Sequence, residues 1–300
     1  YAMQILFAVL MVTVMFVMLP RASASASRIN QVLDEPPEIV DPPAPVQPQL
    51  AIKRGHVEFQ NVTFQYPGAE EPALTGVSFT AHPGEVTAII GGTGSGKSTL
   101  AGLIPRFYDV NQGRVLVDGV DVRDMAQADL RARIGFVPQK AVLFTGTVAA
   151  NIRYGRDHAS DEEVWGAATV AQAVEFVDAM PEKLESQISQ GGINLSGGQK
   201  QRLSIARALV RKPDVYVFDD TFSALDYATD AKLRAALRAK TANATVFVVA
   251  QRISTVITAD RIVVLENGRV VGMGTHTALL ENNEIYREIV ASQVSLEEVA

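Results

Sequence analysis

Apolar and polar positions divide the 300-residue chain into three stretches. Tyr1 to Leu19 is almost wholly apolar, interrupted by Gln4 and Thr13 and carrying no charged side chain. As a helix rising ~1.5 Å per residue it is about 28 Å long, close to the ~30 Å core of a bilayer. Pro20 and Arg21 close the run, and Arg21 with Arg28 favours a cytoplasmic C-terminal side. A secretory signal peptide and a buried core helix share this pattern. Ala22-Ser23-Ala24-Ser25-Ala26 resembles a small-residue cleavage site, yet no basic n-region accompanies it. A membrane helix is the favoured reading, with Arg21 to Leu33 continuing as helix. The first residue is Tyr1 rather than Met, which points to a C-terminal piece of something longer.

The second stretch, Asp34 to Gln49, is punctuated by Pro36, Pro37, Pro42, Pro43, Pro45 and Pro48 and by the acids Asp34, Glu35, Glu38 and Asp41. Proline removes backbone donors and favours extended geometry, so a semi-rigid linker is expected, with a domain boundary near residue 50. The expected divisions are thus 1–33, 34–50 and 51–300.

From Gly55 onward the pattern is α/β. Val57 to Phe64 alternates as a strand and runs into a turn at Tyr66-Pro67-Gly68; Val77 to Phe79 is a second short alternating run. Val86 to Ile90 reads as a strand and Leu100 to Phe107 as a helix. Gly113 to Gly119 is a strand closed by an Asp-Gly turn, and Arg133 to Gln139 a short strand ending at Pro138. Thr147 to Met180 has helical spacing, with Ser160 as an N-cap and Pro181 as a stop. Gly198 to Leu209 and Thr229 to Lys240 are helical, and Val215 to Phe218 and Ala244 to Ala250 read as buried parallel strands. Arg261 to Glu266 and Arg269 to Met273 flank the hairpin signal Asn267-Gly268, and a last helix covers His276 to Ala291. No internal repeat is evident.

Composition narrows the function classes. The chain is 47% hydrophobic, with 27 basic and 33 acidic residues for a net charge of −6, so no broad basic excess points to nucleic acid. The absence of cysteine excludes disulfide partners, thiol catalysis and Cys-ligated zinc, and four scattered histidines make no His-rich metal site.

The chemistry concentrates in three motifs. Gly91-Gly92-Thr93-Gly94-Ser95-Gly96-Lys97-Ser98-Thr99 fits G-x-x-x-x-G-K-[ST] between a strand and a helix. Its glycines let backbone N–H groups turn toward phosphate oxygens, Lys97 reaches β- and γ-phosphates, and the Ser98 hydroxyl suits Mg²⁺. Val215-Tyr216-Val217-Phe218-Asp219-Asp220 delivers an acid to the carboxyl end of an apolar strand, where Asp219 suits Mg²⁺. Leu195-Ser196-Gly197-Gly198-Gln199 opens a helix and offers a second anion-binding surface. Taken singly, each has a bland counterpart: a glycine-rich turn, a strand capped by solvated acids, an ordinary capped helix. Together they are specific.

This set, over roughly residues 51–291, resembles the nucleotide-binding domain of ABC transporters of the exporter half-transporter type. Leu195 to Gln199 matches that family's signature sequence unchanged. The resemblance implies a P-loop NTPase fold with a mixed-sheet core, an antiparallel β subdomain and an α-helical subdomain, preceded by one transmembrane helix. It implies ATP and Mg²⁺ as ligands. Tyr66 falls where the family stacks an aromatic on adenine, Gly91 to Thr99 on its Walker A loop, and Asp219 on its Walker B aspartate. Gln139 falls on the glutamine that contacts Mg²⁺ and couples to the membrane domain, so Ser98, Gln139 and Asp219 form the expected metal set. Ser223 to Asp226 resembles the D-loop at the dimer interface. The implied partners are a second half-transporter subunit and the chain's own membrane domain, in the inner or plasma membrane with the ATPase domain cytoplasmic. Need for ATP also argues against a secretory signal.

Two departures matter. The family consensus places Glu after the Walker B aspartate as the base acting on water; here it is Asp220, one methylene shorter. The switch histidine is replaced by Gln251, which hydrogen-bonds but does not exchange a proton near neutral pH. Gln190 also stands where many exporters have Glu. The expectation is a heterodimer in which this chain's own Walker site is degenerate and its signature completes the partner's site. The alternatives are a homodimer with two modestly active sites and a soluble regulatory ABC ATPase.

Overall fold

The computed structural model describes residues 1–48 and 54–297. The chain divides into two compact units, Tyr1–Val40 and Asp41–Ala300. The boundary expected near residue 50 lies outside the described residues.

In the first unit, α1 (Ala2–Leu33) is a single helix of 32 residues with Pro20 inside it and no buried residue. At ~1.5 Å per residue it is about 48 Å long. An 18-residue window reaches a mean hydropathy of 2.5, so by length and composition this helix is able to cross a membrane. The Thr13 hydroxyl donates to Val9 O within the helix, which removes its need for a solvent partner.

In the second unit the strip before the domain is pinned to it. Val46 N–H donates to Asp124 O at 2.8 Å, and Asp41 Oδ1 accepts from both the backbone and the side chain of Gln127 at 3.0 Å. The elements then run β1 (Val57–Phe64), β2 (Leu74–Ala81), β3 (Val86–Gly91), α2 (Lys97–Leu103), β4 (Gln112–Val117), β5 (Val120–Asp121), α3 (Gln127–Ala132) and β6 (Ile134–Val137). Next come β7 (Gly146–Thr147), α4 (Val148–Arg153), α5 (Asp161–Val170), α6 (Val174–Asp178), β8 (Gln187–Ile188) and α7 (Gly197–Arg211). The chain continues with β9 (Val215–Asp219), α8 (Tyr227–Lys240), β10 (Thr245–Val249), α9 (Ile253–Val256), β11 (Arg261–Glu266), β12 (Arg269–Gly274), α10 (His276–Asn282) and α11 (Glu284–Glu297).

The central sheet has the order β12-β11-β3-β10-β9-β6. All its neighbours are parallel except the β11–β12 hairpin. Both faces are covered, which is why these strands read as unbroken apolar runs. Alternate residues serve opposite cores. Tyr216, Phe218, Val246 and Val248 join the helices α4 to α8 on one face. Val215, Val217, Phe247 and Val249 join α2, α3 and the antiparallel sheet β2-β1-β4-β5 on the other. The mixed core, antiparallel sheet and helical region match the expected fold class.

Three sequence expectations need correction. The helical spacing over Thr147 to Met180 resolves into three helices. α4 ends at Arg153, ahead of Gly155, where a Cβ would stand 2.0 Å from Arg207 O, and Gln172 (φ 57) follows the end of α5. Ser160 does cap α5, through a capping box with Glu163. The helix expected over Leu100 to Phe107 begins earlier, at Lys97, and ends at Leu103. The last helix, expected over His276 to Ala291, is two: α10 and α11 meet at an extended Asn283 (φ −127), whose amide donates to Val271 O.

Candidate functional site

Four parallel strands end at one edge of the central sheet, and each releases a polar residue there. β3 sits between β10 and β11 and runs directly into the glycine loop. Gly91 is required by packing, since a Cβ would lie 2.1 Å from Leu265 O. Gly96 is required twice: its φ is +96° and a Cβ would meet Ala73 O at 2.7 Å. Gly94 has φ +81°, while a Cβ on Gly92 would meet nothing within 4 Å. Ser95 N–H donates to Gly92 O at 3.2 Å and closes the turn. The Lys97 ammonium curls back over the loop, donating to Gly91 O at 2.9 Å and Gly92 O at 2.6 Å. Burial lowers its pKa, opposed by the nearby Asp220 and Asp219 carboxylates.

β9 ends at Asp219, whose Oδ1 accepts from the Ser98 hydroxyl at 2.8 Å. Burial raises its pKa most; the Ser98 bond opposes that, Asp220 adds to it and Lys97 opposes it. Asp220 follows in the left-handed region (φ 44), which Asp tolerates better than most residues, and its N–H donates to Val249 O at 3.0 Å. Its Oδ2 accepts two amide protons, from Gln139 Nε2 at 2.9 Å and from Gln251 Nε2 at 2.8 Å. Gln139 comes from the end of β6 and Gln251 from the end of β10, the two strands that flank β9. The structure therefore gathers Lys97, Ser98, Gln139, Asp219, Asp220 and Gln251 at one place.

Tyr66 reaches the same loop from the antiparallel sheet: its hydroxyl pairs with Thr99 Oγ1 at 3.0 Å. Phe64 and Tyr108 meet its ring edge-on, with centroids 4.8 and 5.2 Å away. Half-buried and held by neighbours, Tyr66 is a rigid aromatic plate beside the loop.

The segment Leu195 to Gln199 is elsewhere. Ser196 caps α7, its hydroxyl accepting from Gln199 N while Gln199 Oε1 accepts from Ser196 N at 2.9 Å. Gly198 lies against the segment Ser223 to Asp226, where a Cβ would be 3.2 Å from Ala224 O. Among the described residues no hydrogen bond joins Leu195–Gln199 to the glycine loop. Its helix α7 packs on α4, α5 and β6. β6 stands three strand positions from β3, about 14 Å at ~4.8 Å per strand.

The donor set fits a metal-bound polyphosphate. The loop offers a cation and turned backbone N–H groups in a cradle that a Cβ at Gly91 or Gly96 would fill. Asp219, Ser98 and Gln139 offer hard oxygens only. No cluster of three or more His, Cys, Asp or Glu that could hold a metal is present among the described residues. A sparse oxygen set completed by phosphate and water is the arrangement Mg²⁺ favours.

A family model described as "ABC transporter" matches residues 74–223. The chain belongs to the ABC transporter family. Among its relatives, an uncharacterized ABC transporter ATP-binding protein of Mycobacterium tuberculosis is 50% identical over 296 residues, covering 98% of this chain and 50% of that protein. An ATP-dependent lipid A-core flippase of Chromobacterium violaceum is 44% identical over 275 residues, 92% of this chain and 46% of that one. Among solved structures, a bacterial Atm1-family ABC exporter with ATP bound superimposes with a TM-score of 0.85 at 39% identity, covering 91% of this chain and 47% of that one. The chain spans about half the length of the curated relatives it matches.

Sequence reasoning missed two polar residues at this edge of the ABC fold. Gln201, 2% exposed, donates from Nε2 to Pro138 O at 3.1 Å and ties α7 to the Gln139 segment. Its signal was a glutamine on the apolar side of a helix. The Thr221 hydroxyl donates to Val137 O at 3.2 Å, joining β9 to β6 beyond the last ladder bond; nothing in the sequence marks it.

Proposed function

We propose that the chain is the ATP-binding and ATP-hydrolysing part of an ABC exporter half-transporter, with divisions 1–33 (membrane helix and extension), 34–50 (linker) and 51–300 (nucleotide-binding domain). α1 lies in the inner or plasma membrane and the ATPase domain faces the cytoplasm. Tyr66 stacks on adenine, Gly91 to Thr99 hold the phosphates, and Ser98, Asp219 and Gln139 serve Mg²⁺. That ion, when bound, neutralises charge building up on the β- and γ-phosphate oxygens. The family membership and the lipid A-core flippase and Atm1-family relatives support the transport role.

The observation that carries the finer reading is the double amide clamp on Asp220 Oδ2. A base that positions the attacking water must direct a free oxygen at it, within about an ångström. Asp220 is a methylene short of the family's glutamate, and one of its oxygens is held by Gln139 and Gln251. Gln251 supplies a fixed hydrogen-bond donor and exchanges no proton. We therefore read this Walker site as one that retains ATP and hydrolyses it slowly. The intact signature, standing apart from the chain's own loop, completes the site of a second, different subunit.

Restoring both family residues, Asp220→Glu with Gln251→His, raises single-site turnover about a hundredfold, the usual worth of a general base. Chain-resolved single-turnover hydrolysis measures this, and an unchanged rate sinks the degenerate-site reading.

A further inference from the structure

Gln251 is itself held. The Gln293 side chain, on α11, donates from Nε2 to Gln251 O at 2.6 Å and accepts at Oε1 from Ile253 N at 2.7 Å. One amide thus bridges the backbone on both sides of Arg252, fixing the turn between β10 and α9. Its own helix is firmly seated two turns earlier. Tyr286 is fully buried, its hydroxyl on His276 Nδ1 at 2.7 Å, and its N–H donates to Asn283 Oδ1 at 2.7 Å. Residues 286 and 293 are seven apart and share one helix face, so the anchor at one end sets the clamp at the other. Ile289 and Val290 pack on the helical-side core between them.

We propose that Gln293 is a positioning residue for the nucleotide site: α11 acts as a strut that holds the Gln251 amide at the γ-phosphate end of the loop. This rests on reading Gln251, at the family's switch position, as a γ-phosphate contact: one amide N–H goes to Asp220 Oδ2 and the second is free for a phosphate oxygen. A fixed amide there favours ATP over ADP, because only ATP places acceptor oxygens within its reach. Freeing the turn loosens the backbone that carries the amide, leaving it held through Asp220 Oδ2, and reduces that preference, while the contacts that both nucleotides share stay intact.

The test uses the full-length protein assembled with its partner subunit. Azido-ATP photolabels this chain, and unlabelled ATP or ADP competes. Gln293→Leu is expected to cut the ATP-over-ADP preference about fivefold, the worth of one to two net hydrogen bonds, with ADP affinity unchanged. Gln293→Glu keeps the acceptor arm to Ile253 and retains part of the preference. Gln251→Ala gives a loss at least as large, and adding Gln293→Leu to it costs nothing more, since both act through one amide. An unchanged ATP/ADP ratio in Gln293→Leu, or losses that add, overturns the proposal while leaving Gln251 in place. If Gln251→Ala itself leaves the ratio unchanged, the reading of the site falls and the proposal with it. A merely structural Gln293 would weaken both nucleotides together and leave their ratio unchanged, which overturns it.

Discussion

At the scale of single residues, the glycine loop separates positions that a motif treats alike. Gly96 combines φ +96° with a Cβ path into Ala73 O at 2.7 Å, whereas Gly92 has open space around its Cα. Gly96→Ala is expected to destabilise the fold by about 2–4 kcal/mol and to abolish nucleotide binding. Gly92→Ala is expected to stay within about 0.5 kcal/mol of wild type. Thermal melts with and without ATP check both. Lys97 and Ser98 were legible from spacing alone, because a strand–loop–helix unit places them by local geometry, and Asp219 and Asp220 from their place at the end of an apolar strand. Their relation to Gln139 and Gln251 was not. That both amides converge on one oxygen of Asp220 depends on β6, β9 and β10 lying side by side, which no local pattern encodes. Gln293 was invisible for the same reason: its partners stand 40 and 42 residues away.

At the scale of elements, the buried parallel strands were readable because both faces are apolar, and the β11–β12 hairpin because Asn267 (φ 46) and Gly268 (φ 73) suit a tight turn. Short pieces such as β5 and α3 escaped, being too brief for any period to register. The α4–α5 break escaped because apolar spacing carries on across it, while the close approach of Gly155 to the α7 backbone involves residues about 50 positions away. The start of α7 carries two tasks at once. Ser196→Ala removes the cap and is expected to cost about 1 kcal/mol, while Ser196→Asp keeps an equally good cap and stays within about 0.5 kcal/mol. Chemical denaturation separates the two. The start of α5 is tied to the end of α7 through Glu163, which accepts from Lys212 Nζ at 2.7 Å and pairs with Arg156. The bond from Lys212, then that from Arg156, pulls the Glu163 carboxyl down from 4.5 to about 2. A depressed folded-state pKa gives stability that is present above 4.5 and lost as pH falls through about 2. The stability difference between wild type and Glu163→Gln is therefore expected to be constant near neutrality and to vanish between these two values. The Glu163 side chain is 32% exposed and solvent screens its ion pairs, so the difference is small.

At the scale of the whole molecule, the proposed function assigns two phosphate-binding surfaces to one chain. The glycine loop ends the central strand β3, while the signature segment opens α7, which packs beside the edge strand β6. On that reading a single triphosphate on the loop leaves Ser196 to Gln199 unused, which is why a second subunit is part of the proposal. If that subunit differs from this chain, the two surfaces serve sites of unequal activity and can be told apart by substitution. In a heterodimer, Lys97→Ala disables only the slow site and is expected to leave at least about half of the steady-state ATPase. Ser196→Asp, which keeps the helix cap but sets a negative charge against the partner's γ-phosphate, is expected to lower the ATPase by more than about tenfold. In a homodimer the same chain supplies both halves of both sites, so Lys97→Ala and Ser196→Asp are equally damaging. Steady-state ATPase of the purified full-length complex, with each substitution made in this chain alone, distinguishes the arrangements. Equal loss from the two substitutions removes the heterodimer, and a large loss from Lys97→Ala with little from Ser196→Asp removes the composite site itself.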